Sequence, residues 1–185
     1  MNIFFLDSDP NLAAQYQCSK HVIKMVLETC QLLCTTHHYI GTTNLPEKFY
    51  RKTHVNHPCA IWARQHANNY NWLAEHALHL CEEYSYRYEK VHASQNLAEW
   101  LLVNEPCIRS WFHKSNEVYP ANTFQLGQYC VTEPPQCMPD EFKVDNDPVQ
   151  AYRNYYNKNK RYEISCKWTK REPPDWWVNF QEISR

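Results

Sequence analysis

The stretch that decides the fold spans residues 19–38 and reads SKHVIKMVLETCQLLCTTHH. Its apolar residues recur three or four positions apart, without an intervening glycine or proline, which is the spacing of one helix face. The pattern predicts a long helix that buries this face, formed by Val22, Ile23, Met25, Val26, Leu27, Leu32 and Leu33. Ser19 is the expected N-cap, and Gly41 lies just beyond the expected end.

Further helices are predicted on both sides of this stretch. A capping residue followed by proline favours a helix start, because proline suits the first turn. The expected starts are Asp9-Pro10, His57-Pro58, Ser94 and Asp147-Pro148, with a short turn at Pro106. The helix after His57 should extend to about Glu89, and Asn68-Asn69 is where it could break. Ile3 to Leu6 is either a short strand or a buried extended arm.

The composition favours an all-α fold in a single compact helical domain over residues 1–185. Only two glycines occur, Gly41 and Gly127, which excludes the glycine-rich loops of dinucleotide-binding and P-loop proteins. We expect a helical body over 1–113 and a long proline-containing loop over 114–146. A basic-aromatic helix and a docked aromatic tail should form 147–185.

The charge is balanced overall but concentrated near the C-terminus. Nineteen Lys and Arg against twenty Asp and Glu give a net charge of −1, which excludes a globally basic nucleic-acid binder. Between 151 and 171, however, seven cations face one carboxylate and alternate with aromatic residues. Cations match phosphates and aromatic rings stack on unpaired bases. The segment therefore predicts contact with a nucleic acid or nucleotide through Arg153, Tyr156, Lys158 and Arg161. The alternative is a solvated helix face whose aromatic residues point into the core.

Polar residues with catalytic potential share one arc of the long helix: His21, Lys24, Glu28 and Gln31. The first three offer a base, a cation for an oxyanion or phosphate, and a carboxylate. The alternative is a solvent-facing stripe with a Lys24–Glu28 pair.

A second polar group surrounds the His57-Pro58 helix start. His54, Asn56 and His57 could cap this helix or hold a ligand at its positive end, and Arg64 continues the polar positions. Two histidine pairs, His54 with His57 and His76 with His79, could in principle hold a metal, but the spacing fixes no third ligand. We therefore predict neither a metal nor a cofactor.

Cysteine usage and the N-terminus indicate a protein of a reducing compartment. The nine cysteines are scattered, without CxxC spacing, and are expected to be reduced thiols. The first residues match neither a signal peptide nor a membrane span. The expected location is the cytoplasm, which would be the host cytoplasm for a viral protein; the oligomeric state is left open.

Residues 1–90 resemble the pyrimidine-dimer DNA glycosylases, the small helical endonuclease V type of phages and bacteria. The resemblance rests on Met1-Asn2-Ile3, the 19–38 helix, Asn56-His57-Pro58 and the run EEYSYRY at 82–88. The run YRNYY at 152–156 is similar to that family's C-terminal aromatic segment. The pattern also resembles uncharacterised phage-encoded proteins, including KHVIKM at 20–25 and QCMPDE at 136–141.

The resemblance implies a mechanism that uses the chain's own α-amine. In that family the amine attacks the sugar carbon bearing the base, a Schiff base forms, and a glutamate assists β-elimination of the strand. Because Asn2 is large, Met1 should be retained and would be the nucleophile. An α-amine, with a reference pKa of about 7.7, is partly neutral at physiological pH. Lys20-His21 stands where the family has an Arg-Glu pair, so the carboxylate would be Glu28, two turns further on, or would be absent.

Two other functions remain open from the sequence. One is a non-enzymatic module that grips DNA, RNA or a host protein with the basic-aromatic segment. The other is an enzyme that acts on a modified base or a nucleotide, for example a phage base-modification enzyme, and uses His21, Lys24, Glu28 and His57.

Overall fold

The computed structural model describes residues 1–115, 117–121, 123–126 and 129–177. These residues form a helical fold with one small hairpin, which confirms the all-α prediction. The helices are α1 (Pro10–Tyr16), α2 (Ser19–Ile40), α3 (Pro58–Gln65), α4 (Ala67–Tyr88), α5 (Gln95–Val103), α6 (Ile108–Ser115), α7 (Pro148–Tyr155) and α8 (Arg161–Ile164). Within the described ranges, no helix is long and apolar enough to cross a membrane.

Helix α2 is the centre of the core, as most of its apolar pattern predicts, but Ile23 and Leu27 of the expected buried face are exposed, at 46% and 37%. Val22, Val26 and Leu33 are completely buried, and the helix packs against α4. The expected cap was wrong by one position, because Cys18 is the N-cap and Ser19 is the first helical residue. The Ser19 hydroxyl instead accepts a hydrogen bond from the backbone N–H of Thr169. It therefore helps to fasten the C-terminal tail.

The break between α3 and α4 falls at His66 rather than at Asn68-Asn69. His66 Nδ1 accepts the backbone N–H of Asn68 and so caps α4. Asn69 is fully buried inside α4, and its amide donates to the carbonyl of Trp62 and the hydroxyl of Thr132. Asn69 therefore does not break the helix; its side chain links α4 to α3 and to the loop at Thr132.

The region 114–146 is a loop with more structure than expected. Strands β1 (Phe124–Leu126) and β2 (Tyr129–Val131) pair antiparallel, although the sequence shows no alternation. α6 is a helix of two turns, where only a short turn was expected at Pro106. The loop is fixed to the body by the Trp62 indole, which donates to the carbonyl of Thr132 over 3.0 Å.

The C-terminal helical segment covers one side of α1 and α2. Its two helices are joined by a π-helical turn, Tyr156–Lys160, where the predicted single helix continues. The tail docks as predicted up to residue 177: the Trp168 indole donates to the carbonyl of Tyr16, and Arg171 pairs with Glu83. Residues 178–185 of the expected tail lie outside the described residues.

Candidate active site

Residues 3–6 form a buried extended arm and not the short strand that was the other possibility from the sequence. Ile3, Phe5 and Leu6 are completely buried. The Asn2 side chain holds the arm: its Oδ1 accepts the backbone N–H of Ile3 over 2.8 Å, and its Nδ2 donates to the carbonyl of Cys137 over 2.9 Å. The α-amine of Met1 is therefore attached to a rigid part of the core.

Phe4 adds a strained turn to this arm. Its φ of 45° lies in the left-handed region, which is rare for a bulky residue and costs on the order of 1–3 kcal/mol. The turn is closed by the backbone N–H of Leu6, which donates to the Phe4 carbonyl over 2.8 Å. The Phe4 ring stacks on His21 with a centroid distance of 4.1 Å. The strained residue thus forms part of the wall around the amine.

The α-amine faces the carboxylate of Glu28. Met1 N lies 3.9 Å from Glu28 Oε2, and Lys24 Nζ lies 3.0 Å from Glu28 Oε1. The Glu28 side chain is only 13% exposed, whereas that of Lys24 is 67% exposed. One carboxylate oxygen is thus paired with the lysine one turn earlier on α2, and the other is available to the amine.

These groups open into one cavity of about 480 Å³. Ligand pockets usually measure roughly 300–1,000 Å³, so a small group such as a base can be accommodated. The wall combines the arm, α2 and the C-terminal segment: Met1, Asn2, Phe4, Lys20, His21, Lys24, Met25, Glu28, Cys137, Tyr155, Lys160 and Ile164. We call this cavity the amine pocket. All four predicted catalytic residues line it; Gln31 is not among its lining residues.

His21 is held neutral inside this wall. Burial, together with the charges of Lys160 and Lys24, lowers the pKa of its imidazole to about 3. Its Nδ1 shares a hydrogen bond with the hydroxyl of Tyr156, which is completely buried. At neutral pH the ring is therefore a neutral hydrogen-bonding group that does not supply a positive charge.

Tyr156 and Arg153 face inward, unlike the nucleic-acid contacts that the sequence suggested. Tyr156 is in the core, where no base can stack on it, and it contacts two residues of the pocket wall, His21 and Phe4. Arg153 donates to Asp7 Oδ2 over 2.9 Å and to the carbonyl of Leu6. Both residues hold the C-terminal segment against the N-terminal part of the chain.

The other predicted cations of this segment differ in their surroundings. The Arg161 guanidinium lies over the Trp177 ring at 4.4 Å. Lys160 lines the amine pocket and pairs with Glu163. Lys158 is exposed, with no ion pair among the described residues. Several of the seven cations in 151–171 are therefore engaged by groups of the same chain, and only a few lysines remain accessible to a nucleic acid.

The polar group at the start of α3 is only partly assembled. His57 caps α3 by accepting the backbone N–H of Cys59 at Nδ1. Partial burial and the Met1 α-ammonium lower the pKa of His57, which indicates that the ring lies near the amine. His54, at a φ of 48°, and Asn56 are exposed, and Arg64 donates to the carbonyl of Val55.

A group of metal-ligating atoms occurs beside the pocket. Ligand atoms of His57, Cys59 and Cys137 all lie within 4.8 Å of one another. All nine cysteines are free thiols, and the Sγ atoms of Cys59 and Cys137 are 3.5 Å apart. The hydrogen bond between these thiols lowers the pKa of Cys137. Of the two histidine pairs considered from the sequence, only His57 belongs to this group; His54, His76 and His79 do not.

Sequence reasoning missed two residues of the site, Asn2 and Cys137, and gave Tyr156 a different role. Asn2 sets the arm, Cys137 closes the pocket wall, and Tyr156, predicted as a nucleic-acid contact, instead orients His21. The only signal for Asn2 was an amide next to the presumed nucleophile. No local signal exists for the contacts of Tyr156 and Cys137, because each residue reaches the N-terminal part of the site from more than 100 residues away.

Comparison with known proteins places the N-terminal half of the chain in a family. The model of the pyrimidine dimer DNA glycosylase family matches residues 1–96, about half of the chain. The chain belongs to this family. The match confirms the resemblance drawn from residues 1–90 and supports a DNA glycosylase-like function. No curated protein and no solved structure matches the chain.

The match covers only part of the amine pocket. The arm and α2 lie inside residues 1–96, whereas Cys137, Tyr155, Lys160 and Ile164 lie beyond them. One side of the amine pocket is therefore formed by residues that lie beyond the family match.

Proposed function

We propose that this protein is a DNA glycosylase/lyase that uses the α-amine of Met1 as its nucleophile, with a pyrimidine dimer as the target lesion. The observation that supports this most strongly is the 3.9 Å approach of that amine to Glu28, where both groups line the amine pocket. The family membership of residues 1–96 supports the reaction class. The target strand would have to deliver its nucleotide into the pocket by flipping it out of the stack.

In the first step the neutral amine forms a bond to C1′ of the sugar, and the C1′–N bond to the base breaks. The base leaves with the electron pair of that bond and takes a proton, and the attacking nitrogen loses one proton. The nitrogen lone pair then opens the sugar ring: the C1′–O4′ bond breaks, O4′ takes a proton, and a protonated Schiff base remains at C1′. Glu28 is the acid/base that exchanges these protons. The 3.9 Å separation is longer than a hydrogen bond and suits transfer after a small closure or through one water.

In the second step Glu28 removes a proton from C2′, and the phosphate on C3′ leaves. Lys24 orients Glu28 through the 3.0 Å pair and, being largely exposed, can also contact a phosphate. Lys20 and Lys160 add positive charge to the pocket wall. His21 is the neutral neighbour that hydrogen-bonds the leaving base.

The direct test is to block the amine. The chain extended by one residue before Met1 should lose covalent trapping by borohydride on lesion-containing DNA, because a Schiff base needs a free amine at this position. A chain extended after Arg185 is the matched control and should trap as wild type does. Equal trapping by both forms would contradict the proposal.

A further inference from the structure

The cluster beside the amine pocket has the composition of a transition-metal site. Cys59 is buried, while His57 and Cys137 are partly exposed, so the group is reachable from solvent. Two thiolates and one imidazole are soft and borderline donors, which select zinc over magnesium or calcium. No charged partner other than the ion itself would be needed to compensate the two thiolates.

The distances fit tetrahedral coordination. Two sulfurs bound to zinc at about 2.3 Å lie about 3.8 Å apart in a tetrahedron, and the observed separation of Cys59 Sγ and Cys137 Sγ is 3.5 Å. All three donor atoms lie within 4.8 Å of one another, so an ion can be reached by small side-chain rotations.

The backbone around the three residues is already fixed. The Cys137 carbonyl accepts a hydrogen bond from Asn2, and its N–H faces the Tyr152 hydroxyl. His57 and Cys59 occupy the cap and the second position of α3. His57 Nδ1 accepts the Cys59 N–H over 3.2 Å, so this nitrogen carries a lone pair directed toward α3. That hydrogen bond is at the long end of the usual range and can be exchanged for a metal bond.

We propose that His57, Cys59 and Cys137 form a zinc site beside the amine pocket, whose wall contains Cys137, with the fourth position left for water. The ion would join the start of α3, inside the family match, to the loop at residue 137, outside it. This site is independent of the amine chemistry, and its test does not need enzyme activity.

The test is metal binding by the full chain, kept reduced by a reductant that does not bind metal. Zn²⁺ titrated against a chromophoric chelator should occupy one site per chain, and Co²⁺ in the same site should show thiolate-to-metal charge-transfer absorption. Affinity should rise with pH, because both thiols release their protons on binding. Zn²⁺ should also raise the melting temperature, and above the dissociation constant the rise should follow the logarithm of the free Zn²⁺ concentration.

Variants decide whether these three residues are the ligands. Cys137→Ser and His57→Gln should each weaken Zn²⁺ binding by a hundredfold or more, since even second-shell changes cost about 10–100-fold. Cys107→Ser removes an exposed thiol outside the cluster and should bind as wild type does. If circular dichroism shows that Cys137→Ser does not fold, Zn²⁺ binding by His57→Gln and the Co²⁺ spectrum of the wild-type chain test the ligand assignment instead. Unchanged binding in His57→Gln, or a cobalt spectrum without charge transfer, would overturn the proposal.

Discussion

The amine pocket and the basic-aromatic segment at 151–171 differ in how their charges are used. In the pocket, few charged groups converge: one amine, one carboxylate and the lysines around them. In the segment, seven cations stand close together in sequence, yet Arg153, Lys160, Lys170 and Arg171 each pair with a carboxylate of the same chain. Dense charge in a sequence can therefore indicate internal docking, whereas a sparse set on one helix face can form a reactive site.

The largest expected effect separates reactive from structural carboxylates. Glu28→Gln keeps the size and polarity of the side chain but cannot exchange a proton. It should lower the rate of the lyase step by about 10²–10⁴-fold with little loss of DNA binding. Gln31→Ala, on the same helix arc but outside the pocket lining, is the control for the helix and should stay near wild type. The rates are measured by single-turnover kinetics on lesion-containing DNA. Equal rates for Glu28→Gln and wild type would show that Glu28 is not the acid/base.

The second effect concerns the buried ion pairs that dock the segment. Glu83 is 3% exposed and pairs with both Arg87 and Arg171, and Arg87 is completely buried in its side chain. Glu83→Ala should lower the free energy of unfolding by about 3–5 kcal/mol, because it leaves a buried guanidinium without its partner. Glu82→Ala removes the exposed neighbour on the same helix and should cost less than about 1 kcal/mol. Similar urea midpoints for the two variants would show that the docking contacts carry no stability.

The third effect is a pH dependence of stability from His21. Its pKa is about 3 in the folded protein, below the reference of about 6.5, so only the unfolded chain binds the proton between these values. This contribution is present above about pH 6.5 and is lost as the pH falls toward 3. Between about pH 5.5 and 4 it adds about 1.4 kcal/mol per pH unit to the slope of the unfolding free energy. His21→Gln should reduce the measured slope by that amount; an unchanged slope would mean that His21 is protonated in the folded protein.

The smallest effect compares the salt dependence of DNA binding between the two regions. Each phosphate contact contributes about 0.9 to the slope of log K against log salt. Lys20→Ala, at the pocket, should lower the magnitude of this slope by about that amount. Arg153→Ala should leave the slope unchanged, because this guanidinium is occupied by Asp7. A smaller slope for Arg153→Ala together with an unchanged slope for Lys20→Ala would show that the 151–171 segment is the main nucleic-acid surface.

Much of the fold was predictable from local pattern. The helical spacing in α2, the caps at Asp9 and Asp147 and the proline starts at Pro10, Pro58 and Pro148 act within one turn, so they are readable from sequence. The hairpin at 124–131 was missed because its pairing is not reflected in alternating polarity.

The site was predictable only where it lies on one element. His21, Lys24 and Glu28 share a face of α2, and their spacing was sufficient to group them. The roles of Tyr156 and Cys137 depend on how the segment beyond residue 96 packs against the arm, which no local spacing reports. A phage origin and a base-modifying role remain predictions from the resemblance alone.

The central claim is that the α-amine of Met1 is the nucleophile, and mapping the trapped adduct tests it most directly. Wild-type protein is reduced with borohydride on lesion-containing DNA, digested, and the modified peptide is identified by mass spectrometry. We expect one adduct per chain, on the peptide that begins at Met1 and at its α-nitrogen. An adduct on the side chain of Lys20, Lys24 or Lys160, or turnover without any adduct, would contradict the claim.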